Sequence, residues 1–308
     1  MTTDDRRLLG RSLYLAADRF ETDLRNYEGR WALDSPADRE AREERFSGAW
    51  GDRPTHDANE SVLLHVHSAA EHLRSLGVAL EFSPAVIPLF TLARGVLDQA
   101  CGPWYRLTPG VDVSVRVQRF MNSQLSSYKS LLTMMDGMKD APPEAAQAAA
   151  EAEKHIEAIL EAARSHDWRV VSPNQPWKPY HLLVAGGEAP QSTTALTKKI
   201  LPEGGIGELS WRLHSGMAHG SAYALSSLLR VDESGTGPVE QTDRQAALRY
   251  AFAPLAYLEL LQALYRQFGW DMALLEQLNQ DVLSPWYDVI GPEDPQESVP
   301  EDPATPRP

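Results

Sequence analysis

The stretch PAVIPLFTLARGVLDQACGPWYRL, residues Pro84–Leu107, carries the densest run of apolar side chains in the chain. Ser83 and Pro84 form a helix start signal, because serine caps helix N-termini and proline fits the first helical turn. Apolar residues recur on nearly every face of such a helix: Val86, Ile87, Leu89, Phe90, Leu92, Val96, Leu97, Ala100 and Trp104. A helix that is apolar all round must be surrounded by other elements, so this segment predicts the central helix of the fold.

Amphipathic segments on both sides of this helix predict further helices, because their apolar residues recur with a helical period. These segments are Asp4–Tyr27, Ala37–Phe46, Asn59–Leu76, Val113–Met138, Glu144–Ser165, a short helix within Ser192–Leu201, Glu208–Val231, Asp243–Phe268 and a short turn of helix at Met272–Leu278. Ser35 is the expected N-cap of the second segment, and Ser192–Thr194 can cap the short helix. Gly77 is the expected stop of the third segment. No stretch shows convincing β alternation, so the sequence predicts an all-α helical bundle.

Composition divides the chain into three regions. Residues 1–58 are rich in acidic residues and arginines and are expected to form a charged, helical N-terminal extension, with the helical bundle domain over 59–290. Residues 291–308 are mostly Pro, Glu, Asp, Ser and Thr, a composition too polar to pack, which predicts a disordered acidic tail. Within the bundle, prolines and paired glycines between Asp167 and Gly207 predict a long irregular loop. A loop of this length in a compact domain is often functional.

Charge and cysteine content limit the classes of function. The formal net charge of −14 argues against a broad electrostatic surface for nucleic acid, which needs clustered Lys and Arg, although a local basic cleft remains compatible with it. The single cysteine, Cys101, excludes an intramolecular disulfide and any metal site built on several cysteines. No secretory signal or membrane-spanning run is recognisable. We therefore expect a cytoplasmic protein without a membrane partner.

The segment ELSWRLHSGMAHG, residues Glu208–Gly220, carries the sharpest chemical pattern. Arg212 and His219 are seven positions apart, which returns them to within about 20° on one helical face, with Ser215 between them. Their axial separation of roughly 10 Å means that a groove or a two-fold interface must complete any site. Arginine suits phosphate binding and histidine suits proton transfer near neutral pH. The alternative is that small residues here allow close helix packing and that a histidine is a hydrogen-bonded core group.

The Arg212–His219 pattern followed by Gly220 resembles the signature of the HEPN superfamily, which comprises helical-bundle domains of toxins, abortive-infection proteins and RNA-processing factors. The helix with Arg94 and Asp98, followed by the Trp104–Leu107 stretch, resembles an Arg-plus-acid helix of bacterial proteins of this kind. The Thr193–Leu196 segment ahead of the Ser215–Gly220 run is similar to an actinobacterial group of unknown function. The resemblance implies a metal-independent endoribonuclease of toxin or phage-defence type that acts on RNA as a homodimer. It implies that His219 transfers the proton and that Arg212 stabilises the charged transition state. Many relatives are inactive, so a catalytically silent binding or dimerisation module is the alternative.

The remaining candidates have a structural and a functional interpretation each. Arg94 and Asp98, four apart on the central helix, form an ion pair or place Asp98 beside His214 or His219 as an orienting group. We therefore count His214, Ser215, Asp98 and Arg94 as supporting residues. The three histidines His65, His67 and His72 lack the spacing of a zinc motif, so no metal and no cofactor is expected.

Overall fold

The structure, a computed structural model, describes residues 3–82, 87–137, 142–202, 206–221, 229–232, 235–238 and 243–291. Its helices are α1 (Thr3–Asn26), α2 (Pro36–Arg42), α3 (Pro54–Phe82), α4 (Ile87–Arg106), α5 (Val113–Asp136), α6 (Pro143–Ser165), α7 (Thr193–Ile200), α8 (Ile206–Ala218), α9 (Asp243–Tyr250), α10 (Phe252–Phe268) and α11 (Met272–Ile290). Two short antiparallel hairpins join them, β1 (Arg169–Val171) with β2 (His181–Leu183) and β3 (Leu229–Asp232) with β4 (Gly235–Pro238). The predicted all-α class is confirmed.

The central position of α4 is confirmed as well. It packs against α3 on one side and against α7, α8 and α10 on others. Its fully buried side chains include Phe90, Val96 and Leu97, which join the main hydrophobic core. The described part of the helix begins at Ile87, so the predicted start at Pro84 lies outside the described residues.

The sequence pattern predicted that Gly77 ends a helix, and this prediction is wrong. The close contact between α1 and α3 explains why a glycine lies at this position. A Cβ atom on Gly77 would lie 2.8 Å from the carbonyl oxygen of Gly10, and a Cβ atom on Gly10 would lie 2.8 Å from the carbonyl oxygen of Gly77. The two glycines therefore let the helices approach closely, and α3 continues to Phe82. The expected boundary between residues 58 and 59 falls inside α3, and Leu13 and Phe20 of α1 lie in the main core.

Two predicted helix ends need correction. The second helix ends at Arg42 rather than Phe46, although its expected cap at Ser35 is present. The helix predicted over Glu208–Val231 ends at Ala218, and the strand β3 begins at Leu229. The strands were not predicted because runs of three or four residues are too short for an alternating pattern to be recognised.

The C-terminal helices also differ from the prediction. The segment expected as one helix is divided into α9 and α10 at Ala251, because Pro254 has no N–H to donate and its ring crowds the carbonyl of Tyr250. The last helix, α11, is longer than the expected turn and reaches Ile290. The predicted disordered tail lies outside the described residues apart from Gly291.

A second, smaller core lies between α5, α6 and the β1–β2 hairpin. It contains Phe120, Met121 and Ile159 together with Leu182 of β2. Asn122 of α5 fixes the strand, since its Oδ1 accepts from the backbone N–H of Leu182 at 2.7 Å and its Nδ2 donates to the carbonyl of Leu182 at 3.0 Å. The short helix predicted within Ser192–Leu201 follows as α7 and is capped by Ser192 as expected. The proline-rich loop is thus attached to the body by side-chain hydrogen bonds.

Candidate functional site

The end of α8 is set by a turn that places His219 at the surface. Gly220 has a φ of +67°, the left-handed conformation that glycine adopts without strain. The N–H of Ser221 donates to the carbonyl of Gly216 at 2.8 Å, and the N–H of Gly220 donates to the carbonyl of Met217 at 3.2 Å. This pair of bonds is the Schellman motif. His219 is therefore the last residue before the turn, and its side chain is exposed.

The partner of His219 is Arg94 of the central helix. Nη1 of Arg94 lies 3.0 Å from Nε2 of His219. A guanidinium group has only donors, so Nε2 must be the acceptor in this hydrogen bond. The imidazole is then neutral and carries its proton on Nδ1.

Two further side chains hold Arg94 in place. Nε of Arg94 lies 3.2 Å from Oδ2 of Asp98, and the indole Nε1–H of Trp211 donates to Oδ1 of Asp98 at 2.9 Å. The guanidinium carbon of Arg94 is 5.5 Å from the centroid of the Trp211 ring, within the range of a cation–π contact. We refer to Arg94, Asp98, Trp211 and His219 as the His219 centre. It joins α4 to the middle and to the C-terminal end of α8.

Arg212 makes its contacts elsewhere. Its Nη2 and Nε lie 2.8 and 2.9 Å from Oε1 of Glu208, one turn earlier on α8. The Arg212 side chain is 65% exposed and points to solvent. Within one chain, therefore, the described contacts join His219 to Arg94 and join Arg212 to Glu208. Ser215, between them on the helix, is half-buried.

His214 is a hydrogen-bonded core residue, which is the alternative interpretation that the sequence offers for a histidine in this segment. Its ring is 1% exposed and lies among aromatic rings, with centroids 4.8 Å from Phe90 and 4.4 Å from Phe252. Nδ1–H donates to the carbonyl oxygen of Ser210 at 2.6 Å. Burial lowers the pKa of His214 to about 4, which keeps it neutral. It stabilises the α8 interface and does not reach the His219 centre through any described contact.

One cleft beside the centre contains residues that the sequence patterns did not single out as a site. It has a volume of about 310 Å³, and Asp98 lies in its wall together with Arg106, Arg119 and Glu188. Arg106 belongs to the Trp104–Leu107 stretch, but nothing in a single sequence shows that Arg119 and Glu188 meet it. Only the packing of α5 and the proline-rich loop against α4 brings these residues together.

Among the described residues, His56, Asp57 and Glu60 form one group whose potential ligand atoms lie within 4.8 Å of one another. The group is at the start of α3, and two of its members are exposed. His56 also packs edge-on against Trp31, with ring centroids 4.9 Å apart. Nδ1 of His56 lies 3.6 Å from Oδ1 of Asp57 and 3.6 Å from Oε2 of Glu60.

Comparison of the chain with protein-family models, with curated proteins and with solved structures gave no significant match. None of the described helices combines the length and the apolar character that crossing a membrane requires. The geometry of the His219 centre and the sequence pattern around it are therefore the features that bear on function.

Proposed function

We propose that the chain is an HEPN-like endoribonuclease that cleaves RNA without a metal ion at the His219 centre. The observation that carries the proposal is the 3.0 Å contact between Arg94 and His219 at an exposed helix end. It pairs a fixed cation, suited to a phosphate, with a neutral imidazole, suited to a proton. The HEPN-like pattern from Arg212 to Gly220 supports the same chemistry.

The reaction assigns a separate task to each side chain. His219 takes the proton of a ribose 2′-hydroxyl on Nε2, while Arg94 shifts its N–H donors from the imidazole to the phosphate oxygens. The 2′-oxygen bonds to phosphorus, the bond from phosphorus to O5′ breaks, and O5′ takes a proton from water. The products are a 2′,3′-cyclic phosphate and a 5′-hydroxyl. Asp98 and Trp211 are positioning residues, because they orient Arg94 and do not need to touch the substrate.

Arg212 enters this mechanism through a second copy of the chain. It lies on the outer face of α8 beside Leu209, a large apolar side chain that is 70% exposed. Two such faces packed about a two-fold axis bury Leu209 and bring a second arginine towards the other centre. The homodimer is part of the proposal and supplies the groove that one helix cannot form.

The test is cleavage of a panel of structured and single-stranded RNAs in the presence of a chelator. We expect His219→Ala and Arg94→Ala to lose at least about 100-fold in rate, the range for a general base or an oxyanion donor. Matched RNAs with a 2′-deoxy substitution at the cut site must remain intact, since the nucleophile is absent. Cleavage that survives in His219→Ala, or that occurs at the 2′-deoxy position, would contradict the mechanism.

Arg212→Ala distinguishes a site formed within one chain from a site that a second chain completes. A loss as large as that of Arg94→Ala, together with dimers in solution, supports the composite site. A rate within about threefold of wild type, a change of about 0.7 kcal/mol in barrier, confines the chemistry to Arg94 and His219.

A catalytically silent binding or dimerisation module is the second candidate. The observation that favours it is the engagement of Nε2 of His219 by Arg94, whose charge is in turn offset by Asp98. This interpretation predicts that all RNAs stay intact and that Leu209→Glu abolishes self-association. The conservative control Leu209→Met should keep it.

A further inference from the structure

The cleft next to Asp98 lies between several helices and the loop before α7. Its walls come from His65 of α3, the second half of α4, the middle of α5, this loop and the first turn of α7. The side chains that line it are mostly polar and include His65, Asp98, Tyr105, Arg106, Arg119 and Glu188. We refer to this space of about 310 Å³ as the Arg106 cleft. Its size suits a small polar ligand.

Arg106 is the unusual residue in this wall, because its guanidinium is 4% exposed and has no carboxylate partner among the described residues. Its side-chain hydrogen bond runs from Nη1 to the hydroxyl of Ser61 at 2.7 Å, and its guanidinium carbon lies 5.7 Å from the centroid of the Phe120 ring. Both partners are neutral. A buried cation without a counter-ion is costly, and burial lowers the pKa of Arg106 to about 10.

The titratable neighbours do not supply the missing negative charge. His65 lies in the same wall, where burial and the nearby Arg106 lower its pKa and favour the neutral ring. The carboxylate of Asp98 is engaged by Arg94 and Trp211 in the His219 centre. Arg106 therefore places a positive charge without a described counter-ion in the wall of the cleft.

Glu188 lies at the opening of the cleft, beside the positively charged side chains of Arg119 and Lys199. Its Oε1 accepts a hydrogen bond from the hydroxyl of Tyr105 at 2.5 Å and lies 3.5 Å from Nη2 of Arg119 and 3.5 Å from Nζ of Lys199. Arg119 is stacked 3.6 Å above the Tyr105 ring, which fixes its direction. The Tyr105 hydrogen bond and the two cations lower the pKa of Glu188 and keep it ionised.

Glu188 is well placed to leave this position. Its side chain is 43% exposed, and it belongs to the proline- and glycine-rich loop between β2 and α7. The ion pair of Glu188 with Lys199 is exposed, and such a pair is individually weak in water. The carboxylate is also held by Arg119, whose side chain is 11% exposed, and by hydrogen bonds from Tyr105 and Gln191. An external anion offering two or three oxygens can replace one carboxylate group and lie closer to Arg106 as well.

We propose that the Arg106 cleft binds a small oxyanion ligand, carrying a phosphate or a carboxylate group, and that Glu188 fills the anion position in the free protein. Arg119, Lys199 and the hydroxyl of Tyr105 hold the bound group, and Arg106 supplies the buried positive charge behind it. The proposal does not depend on RNA cleavage, because none of these four residues belongs to the His219 centre.

The test measures binding of two probes, inorganic phosphate and malonate, to the full chain by calorimetry and thermal denaturation. Glu188→Gln removes the internal competitor, so it should bind the preferred probe about tenfold more tightly than wild type. Lys199→Gln should weaken binding, whereas Lys198→Gln, its exposed neighbour, has no described contact with Glu188 and serves as the matched control. Preference for one probe identifies the class of anion.

Two results would overturn the proposal. One is the absence of saturable binding of either probe to Glu188→Gln. The other is an equal effect of Lys198→Gln and Lys199→Gln, which would indicate general charge attraction. Arg106→Met provides a further readout, because it should lose anion binding and yet unfold at a higher temperature when no anion is added. If Arg106→Met fails to fold, the comparison of Lys198→Gln with Lys199→Gln still tests the proposal.

Discussion

Arg94 and His219 are 125 positions apart in the sequence, yet Nη1 of the first lies 3.0 Å from Nε2 of the second. The contact exists because α8 packs along the central helix and ends in a Schellman turn at Gly220. It places an exposed imidazole against a cation that is itself fixed by Asp98. This relationship replaces the pair Arg212 and His219 as the geometric centre of the site within one chain.

Arg94→Ala should cost more stability than Arg212→Ala. Arg212→Ala removes an exposed ion pair with Glu208 and should change the free energy of unfolding by less than about 0.5 kcal/mol. Arg94→Ala removes a partly buried guanidinium from Asp98 and should cost about 1–2 kcal/mol. Urea denaturation measures both. If Arg94→Ala lowers the free energy of unfolding by more than about 3 kcal/mol, a loss of activity in this variant would be explained by unfolding.

Gly77→Ala should destabilise the fold, because the new Cβ would lie 2.8 Å from the Gly10 carbonyl oxygen and force α1 away from α3. We expect a cost of about 1–3 kcal/mol, as for overpacking in a core. The matched control is Gly102→Ala in α4, where a Cβ meets nothing within 4 Å. This control should be neutral or stabilising by up to about 1 kcal/mol, the helix propensity difference. Equal effects of the two variants would contradict the close approach.

The buried His214 predicts a loss of stability in acid. Its pKa is about 4 in the folded protein and about 6.5 in an unfolded chain. Between these values the unfolded state binds the proton and the folded state does not, so stability falls as pH decreases from about 6.5 to 4. The contribution of this one group is about 3 kcal/mol. His214→Phe should flatten that part of the curve of unfolding free energy against pH, and an unchanged slope would show that other groups cause it.

Asn122 should control the attachment of the proline-rich loop. Asn122→Leu removes both hydrogen bonds between Asn122 and the backbone of Leu182, which is fully buried. The N–H of Leu182 then lacks its partner, whereas the carbonyl still accepts from Nε2 of Gln118 at 2.7 Å. We expect a cost of about 1–3 kcal/mol, as for one unsatisfied buried group. Limited proteolysis should then cut within residues 172–192 sooner. The exposed control Ser127→Ala should leave both readouts unchanged.

Local sequence patterns were sufficient to predict the features that depend only on residues close together in the sequence. The apolar residues of α4, the Ser35 and Ser192 caps and the alanine-rich α6 all follow from short-range patterns, and all are present. The full length of α11 could also have been predicted, because Leu275, Leu278, Val282 and Trp286 keep the helical period. The signals failed at Gly77, where the same residue type serves either as a helix stop or as a contact point between helices.

The sequence by itself determined the helical class, the central place of α4 and the cluster of Arg and His residues on α8, because periodicity and helix propensity act over neighbouring residues. Only the tertiary structure decided which of these residues meet. His219 faces Arg94 and not Arg212, His214 is enclosed by aromatic rings, and Arg106 shares a cleft with Glu188. The physical reason is that these contacts depend on how helices pack and end, and the partners are separated by far more residues than any local pattern spans.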